Sequence, residues 1–184
     1  MRLEDERMMR ILYSPVDYTH PSYLDKVFLR KIFWDDVLVN YWLLNHYHLG
    51  DLPQRWQNCD YTLSCVLSNW YQLPVIAHLT GGYLLRSRLL GQSTTLLSDP
   101  QLLAFISLPM INTVAIQNSQ DINDTYAWGI AFILNLIPDI PLALRQRISL
   151  FFSAEMTLPS LHIARNPDNF NLLRMAMTYA NNFN

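Results

Sequence analysis

Charge is scarce in this sequence. Asp, Glu, Lys and Arg make up 15% of its 184 residues, against about 25% in soluble domains generally. The formal net charge is −2, and no basic run is longer than Arg30-Lys31. Nucleic-acid binding needs a basic face to neutralise phosphates, so the composition argues against that class. Cysteine is nearly missing as well. Cys59 and Cys65 are six apart on one expected helix, a spacing that puts them on different faces and disfavours a disulfide. Two free thiols fit a reducing cytoplasm, and two are too few for a structural zinc site. Five glycines argue against a flexible linker, and no internal repeat or low-complexity tract interrupts the chain. The amino terminus, MRLEDERMMR, mixes both charge signs and has no apolar core of the kind a secretory signal carries. The apolar stretch Tyr126 to Ile137, followed by Pro138, is twelve residues long, whereas a bilayer-spanning helix takes about twenty. It reads as a helix buried on all sides.

Catalytic patterns are missing too. His46 and His48 are two apart and would point about 200° from each other on a helix, so they cannot share a metal. No HExxH is present, and no GxSxG supports a Ser-His-Asp arrangement. Gly81-Gly82 is followed by Tyr83 and lacks the Lys-Ser/Thr of a phosphate loop. Asp35 and Asp36 are adjacent and read as a solvated helix start. His78 has no Cys or His partner at ligand spacing and reads as a half-buried packing residue. A site assembled from distant residues would escape this reading, which keeps an enzyme as an alternative.

Apolar and aromatic residues are abundant. Hydrophobic types make up 51%, with ten Tyr, eight Phe and five Trp. Such a chain either fills a large core or leaves apolar patches at the surface as partner sites. The stretch that organises the rest is Leu63 to Leu90. Leu63, Val66, Leu67 and Trp70 fall on one helical face behind Asp60, a candidate N-cap. A structural hinge is predicted at Trp70, Leu73, Pro74 and Gly81. Pro74 disfavours helix at Leu73 and suits the first turn of the next helix, and Gly81-Gly82 would end that helix in a left-handed cap. A third helix would restart at Tyr83 and run to about Gly91.

Elsewhere, residues 1–10 read as a frayed, charged lead-in, and residues 11–184 as one helical domain. The segment Ile11 to Pro21 is expected to be an ordered loop, because Pro15 and Pro21 break it for a long helix and its apolar groups want burial. The next helix lies within Phe28 to His48, with Trp34, Val37, Leu38, Tyr41 and Leu43 or Leu44 as its buried stripe and Gly50 as its stop. Asp99-Pro100 opens a helix through Ser107, and Met110 to Gln120 reads as irregular. Asp121 or Asp124 caps the buried helix. Pro141 precedes a helix from Leu142 to Phe152 with Arg145 and Arg147 outward, and Pro167 opens the last helix, with Phe170, Leu173, Met177 and Ala180 inward. The fold class is all-α: a compact multi-helix architecture with proline-broken helices and little or no sheet.

Three segments together resemble the OrgA/MxiK family of type III secretion sorting-platform proteins, SctK in unified naming. Ile11 to Pro21 is similar to that family's "P..Y.HP" pattern through Pro15, Tyr18 and His20-Pro21. Asn69 to Gly81, NWYQLPVIAHLTG, is similar to its "W..LP..A.L.G" core. Leu136-Ile137-Pro138, Leu142 to Phe152, Leu172-Leu173 and Tyr179-Ala180 resemble its closing helices. Ser14, His78 and Ser153 depart from the residues most common there. The resemblance implies a non-enzymatic cytoplasmic adaptor without catalytic, cofactor or metal residues. Its expected partners are the cytoplasmic domain of the inner-membrane ring protein (SctD-type), the pod protein (SctQ-type) and the ATPase regulator (SctL-type). A chaperone holding exported segments is the alternative from another class. Tyr13, Pro15, Tyr18, His20, Pro21 and Tyr23 are the candidate partner-binding residues, because prolines pre-order a loop and tyrosines offer area with a polar end.

Overall fold

The computed structural model describes residues 3–24, 35–91, 99–110, 124–163 and 165–182. Among them are nine α-helices: α1 (Leu3–Tyr13), α2 (Asp36–His46), α3 (Tyr61–Ser68), α4 (Leu73–Leu84), α5 (Arg86–Leu89), α6 (Pro100–Ile106), α7 (Thr125–Leu136), α8 (Leu142–Ser149) and α9 (Pro167–Asn182). Short 3-10 turns occupy Pro15–Asp17, Pro21–Tyr23 and Trp70–Gln72, and no strand occurs among the described residues. The fold is therefore all-α, as the punctuated apolar segments predict. It divides into two compact units, Met1–Cys59 with Asp139–Met156, and Asp60–Pro138 with Thr157–Asn184. Each unit is discontinuous in sequence.

In the first unit the charged lead-in is helical, contrary to the expectation of fraying. Glu6 and Arg10 stand four apart in the favoured order for a helical ion pair, and Ile11 and Leu12, at the far end of α1, are buried. Burying that end supplies what a short charged helix lacks in isolation. Helix α2 starts as expected, with Asp35 accepting from the Val37 N–H. Its buried stripe agrees with the expected one only at Leu43. Val39 and Leu43 face inward, while Val37, Leu38 and Tyr41 are exposed. The sequence DVLVNYWLLNH is apolar almost all round, so periodicity alone cannot select the face. The Pro15–Asp17 turn selects it by packing on the Asn40 side, where Val16 N–H donates to Asn40 Oδ1 (2.8 Å). Helix α2 ends at His46, and the left-handed residue after it is His48 (φ 49°), not Gly50. Trp34, the first member of the expected stripe, lies outside the described residues. Helix α8 begins after Pro141 and stops at Ser149, three residues short of the expectation, although Phe151 and Phe152 remain buried beyond it.

In the second unit the caps fall where the acidic residues predict them. Asp60 accepts from Thr62 and Leu63 N–H, Asp99 from Leu102 N–H, and Asp124 from Tyr126 and Ala127 N–H. Each satisfies amides that a helix start leaves without partners. Leu63, Val66, Leu67 and Trp70 are buried together, as the stripe requires. The hinge differs in detail. Leu73 is itself helical (φ −52°, ψ −40°) and opens α4, with Pro74 in the first turn, where its missing N–H is harmless. The helix then runs through Gly81 and Gly82 to Leu84, so neither glycine is a left-handed cap, and no glycine has positive φ.

Gly81 serves a helix crossing, whereas a Cβ on Gly82 would meet the Leu102 side chain of α6. A Cβ on Gly81 would lie 1.8 Å from the Thr125 carbonyl oxygen and 2.7 Å from the Gly129 nitrogen. A Cβ on Gly129 would lie 1.8 Å from the Ala77 carbonyl oxygen. The backbones of α4 and α7 are in contact because both carry glycine at the crossing. Helix α7 is buried on nearly every side, including Trp128, Ile130, Phe132 and Ile133, in agreement with its unbroken apolar sequence. Helix α9 buries Leu172, Leu173, Ala176, Met177 and Ala180. Phe170 is half-buried, with its ring centroid 5.5 Å from that of Tyr61. Residues 111–120, most of the stretch expected to be irregular, lie outside the described residues.

Candidate functional site

The proline-tyrosine segment of the first unit is pinned by its own polar groups. Tyr18 is 7% exposed; its hydroxyl donates to the Ile11 carbonyl (2.6 Å), and its ring stacks on Phe151 at 4.8 Å. Pro15 is buried inside the first turn. His20 N–H donates to the Leu150 carbonyl, and Ser22 Oγ accepts from Ala154 N–H. The Tyr23 hydroxyl reaches the Ser149 carbonyl at 3.4 Å, while Tyr47 donates to the Tyr23 carbonyl at 2.7 Å. Burial, and after it the neighbouring Tyr47, push the Tyr23 phenol above its ordinary value. Tyr13 is exposed and donates to Asp51 Oδ1 (3.0 Å), a bond that raises its own phenol. The six candidate residues thus split by role. Pro15 and Tyr18 are interior, His20 and Tyr23 are half-buried, and Tyr13 and Pro21 face solvent.

The group that braces this segment is Arg147, which the sequence reading places outward. It is fully buried. Its Nε and Nη2 donate to the Leu12 carbonyl (3.1 and 2.7 Å), and Nη1 donates to the carbonyls of Gly50 (2.7 Å) and Ala143 (2.9 Å). Burial lowers the guanidinium pKa, opposed by the nearby Tyr18, Asp51 and Tyr13. The side chain bridges the end of α1, the loop after α2, and its own helix. Gln146 adds to the brace, accepting from Gly50 N–H and donating to the His48 carbonyl. A signal for Arg147 does exist in the sequence. Ala143, Leu144, Arg147 and Ile148 form one helical stripe, and all four are buried. A charged type made the position look like surface, although a planar five-donor fork suits a cluster of buried carbonyls.

Beside this braced segment, α2 turns apolar groups to solvent. Val37 and Tyr41 are each 69% exposed and Leu38 51%. At positions i, i+1 and i+4 they share one face. Asp35 and Asp36 stand exposed at its start, and Asp17, in the turn that packs on α2, is exposed as well. At the other end of the helix, Trp42 stacks on His46 (4.5 Å between centroids) and meets Tyr47 edge-on (5.9 Å).

The second unit holds two polar clusters. His78 Nε2 lies 2.8 Å from Asp99 Oδ2, Nδ1 lies 2.6 Å from Thr125 Oγ1, and the ring stacks on Tyr126 at 4.8 Å. Burial acts to raise Asp99 but is outweighed by the Leu102 N–H, His78 and the Gln101 N–H, so the carboxyl sits below its ordinary value of 3.8. The row Asp99, His78, Thr125 has the order of a nucleophile relay. Yet the amides next to Thr125, those of Tyr126 and Ala127, are already taken by Asp124, where an acyl-transfer site would need donors for an oxyanion. The row instead joins the starts of α6 and α7 to α4. The second cluster lies in an open cleft of about 450 Å³ lined by Asp60, Leu136, Arg165, Pro167 and Phe170 among others. There Arg165 donates to the Leu136 carbonyl and pairs with Asp60 at 3.3 Å.

Among the described residues the protein is helical, with Val37, Leu38, Tyr41 and Tyr13 as large apolar or aromatic groups exposed in its first unit. The chain belongs to the OrgA/MxiK family, described as bacterial type III secretion apparatus proteins, which it matches over residues 8–182. No curated protein and no solved structure matches it. No helix among the described residues is long and apolar enough to cross a membrane.

Proposed function

We propose that the chain is a non-catalytic adaptor of the injectisome's sorting platform, the SctK-type component, working in the bacterial cytoplasm at the inner-membrane base of the apparatus. It links the cytoplasmic domain of the SctD-type ring protein to the SctQ-type pod protein, and through the pod and the SctL-type regulator to the ATPase complex. Membership of a secretion-apparatus family across residues 8–182 is the observation that carries this reading. The large exposed side chains Tyr13, Val37, Leu38 and Tyr41 agree with it, since aromatic and apolar anchors dominate the energetics of protein interfaces. Tyr13, His20, Pro21 and Tyr23 form one contact edge, while Pro15 and Tyr18 hold its shape from inside.

The test is direct binding. The purified chain is titrated with the ring protein's cytoplasmic domain and with the pod protein, separately and together. An adaptor binds each, and binds the second when saturated with the first. Binding to neither, alongside capture of exported peptides or turnover of a small molecule, refutes the reading.

A further inference from the structure

We infer that the chain from Thr157 to Ile163 is a releasable, salt-sensitive strap on the second unit, with the Arg165 side chain as its clasp. The inference does not depend on the adaptor reading. The second unit is built from two stretches of chain, Asp60–Pro138 and Thr157–Asn184, and Arg165, in the second stretch, meets the first near both of its ends. Its Nε donates to the carbonyl of Leu136 (3.1 Å), the last residue of α7, and its Nη2 donates to Oδ2 of Asp60 (3.3 Å), the cap of α3. Each contact suits the helix end it touches. A carbonyl at a helix C-terminus has no partner within its own helix and favours a cation. At Asp60 the other oxygen, Oδ1, is engaged by the Thr62 and Leu63 N–H groups, so the guanidinium takes Oδ2.

Burial separates this clasp from the arginine brace of the first unit. Arg147 is fully buried and serves three carbonyls, where water does not compete for it. Arg165 is half exposed and Asp60 a third exposed, so solvent and dissolved ions compete for both and their attraction is screened by salt. The chain leading to the clasp has little else to hold it. From Thr157 to Ile163 it forms no helix or strand, and only Pro159 and Leu161 of it are buried. A segment with so few buried contacts opens before the body it lies on. The clasp also lines the open cleft, together with Asp60, Thr62 and Leu136 from one stretch and Asn166, Pro167 and Phe170 from the other. Release of Arg165 therefore parts the two walls of the cleft at their polar contact, while the close crossing of α4 and α7 at Gly81 and Gly129 stays shut.

Hydrogen exchange followed by mass spectrometry on the full chain, at low and at high sodium chloride and corrected for intrinsic rates, tests the strap. In the parent, exchange across 157–163 should quicken several-fold as salt rises, with α4 and α7 unchanged. Arg165→Met keeps most of the stem and removes every donor; it should show the fast rate already at low salt and no dependence on salt. Asp60→Asn keeps an oxygen for the Thr62 and Leu63 amides and removes the charge. It should also lose the salt dependence, at a rate between those of the parent and Arg165→Met, because the contact with Leu136 survives. Exchange at the parent rate across 157–163 in Arg165→Met overturns the inference, as does a parent rate indifferent to salt. So does an Arg165→Met chain in which α4 and α7 quicken as much as 157–163, since Arg165 would then hold the whole unit and not a strap.

Discussion

Replacing Arg147 with Met tests the account of the first unit most sharply. Met keeps most of the unbranched stem and deletes the guanidinium, so little cavity forms and the change isolates the polar contacts. Of the three carbonyls that Arg147 serves, Ala143 O lies four residues back in the same helix and keeps the Arg147 N–H. The Leu12 and Gly50 oxygens, approached at 2.7 Å each, lose their donor. A buried acceptor left unsatisfied costs about 1–3 kcal/mol, in full for Leu12 O and less for Gly50 O, which belongs to an exposed residue and can take a water. Part is returned, because the variant no longer buries a cation, a burial the depressed guanidinium pKa already signals. The expected net loss is about 1–3 kcal/mol. With a urea slope near 2 kcal/mol per molar, the midpoint falls by about 0.5–1.5 M. Hydrogen exchange should locate the loss, accelerating around Leu12 to Tyr18 and His48 to Asp51 while α4 and α7 keep their protection. Arg147→Lys should recover only part, since an ammonium lacks the planar fork that places two nitrogens on Leu12 O and a third on Gly50 O. If Arg147→Met unfolds at the parent midpoint with unchanged slope, the carbonyls do not depend on the guanidinium and the reasoning fails.

Gly81→Ala and Gly129→Ala should each destabilise by about 1–3 kcal/mol or more, because the added Cβ meets backbone oxygen at 1.8 Å. Gly50→Ala, whose Cβ would meet only the Gln146 side chain at 3.7 Å, should stay within about 0.5 kcal/mol in the same denaturation assay. Thr80→Val should be neutral or stabilising by up to about 1 kcal/mol, since the Thr80 hydroxyl is buried without a hydrogen-bond partner; a clear loss of thermal midpoint would contradict that. Asp99 is held below its ordinary value of 3.8, so the unfolded chain takes up its proton first on acidification. Its contribution is present above that value and disappears as pH falls through the lower folded value. Asp99→Asn should therefore flatten the acid limb of stability against pH, and an unchanged limb would refute the role.

The parts that could be read from the sequence were those governed by local chemistry. Asp60, Asp99 and Asp124 cap helices because a short acidic side chain reaches amides two or three residues on, and Pro74, Pro100 and Pro167 lie in first turns because a missing N–H costs nothing there. Trp70 is buried because its neighbours at helical spacing are apolar. What escaped was set by partners distant in sequence. Gly81 looks like a cap until Gly129 is placed against the same helix. Val37, Leu38 and Tyr41 look like core until the Pro15–Asp17 turn takes the other side of α2. Arg147 looks like surface until Leu12 and Gly50 present it with carbonyls. The outward face of α2 suffers most from this limit, since an apolar stripe reads the same whether it packs inward or faces solvent.

The Arg147 brace also bears on the order in which the protein is made. Its guanidinium joins carbonyls 135 and 97 residues upstream. At about 5–20 residues per second, the Gly50 carbonyl waits roughly 5–20 s on the ribosome for its donor to be synthesised. During that interval the whole of Asp60–Pro138 is translated. The amino-terminal unit, though begun first, can be locked only after most of the other has emerged.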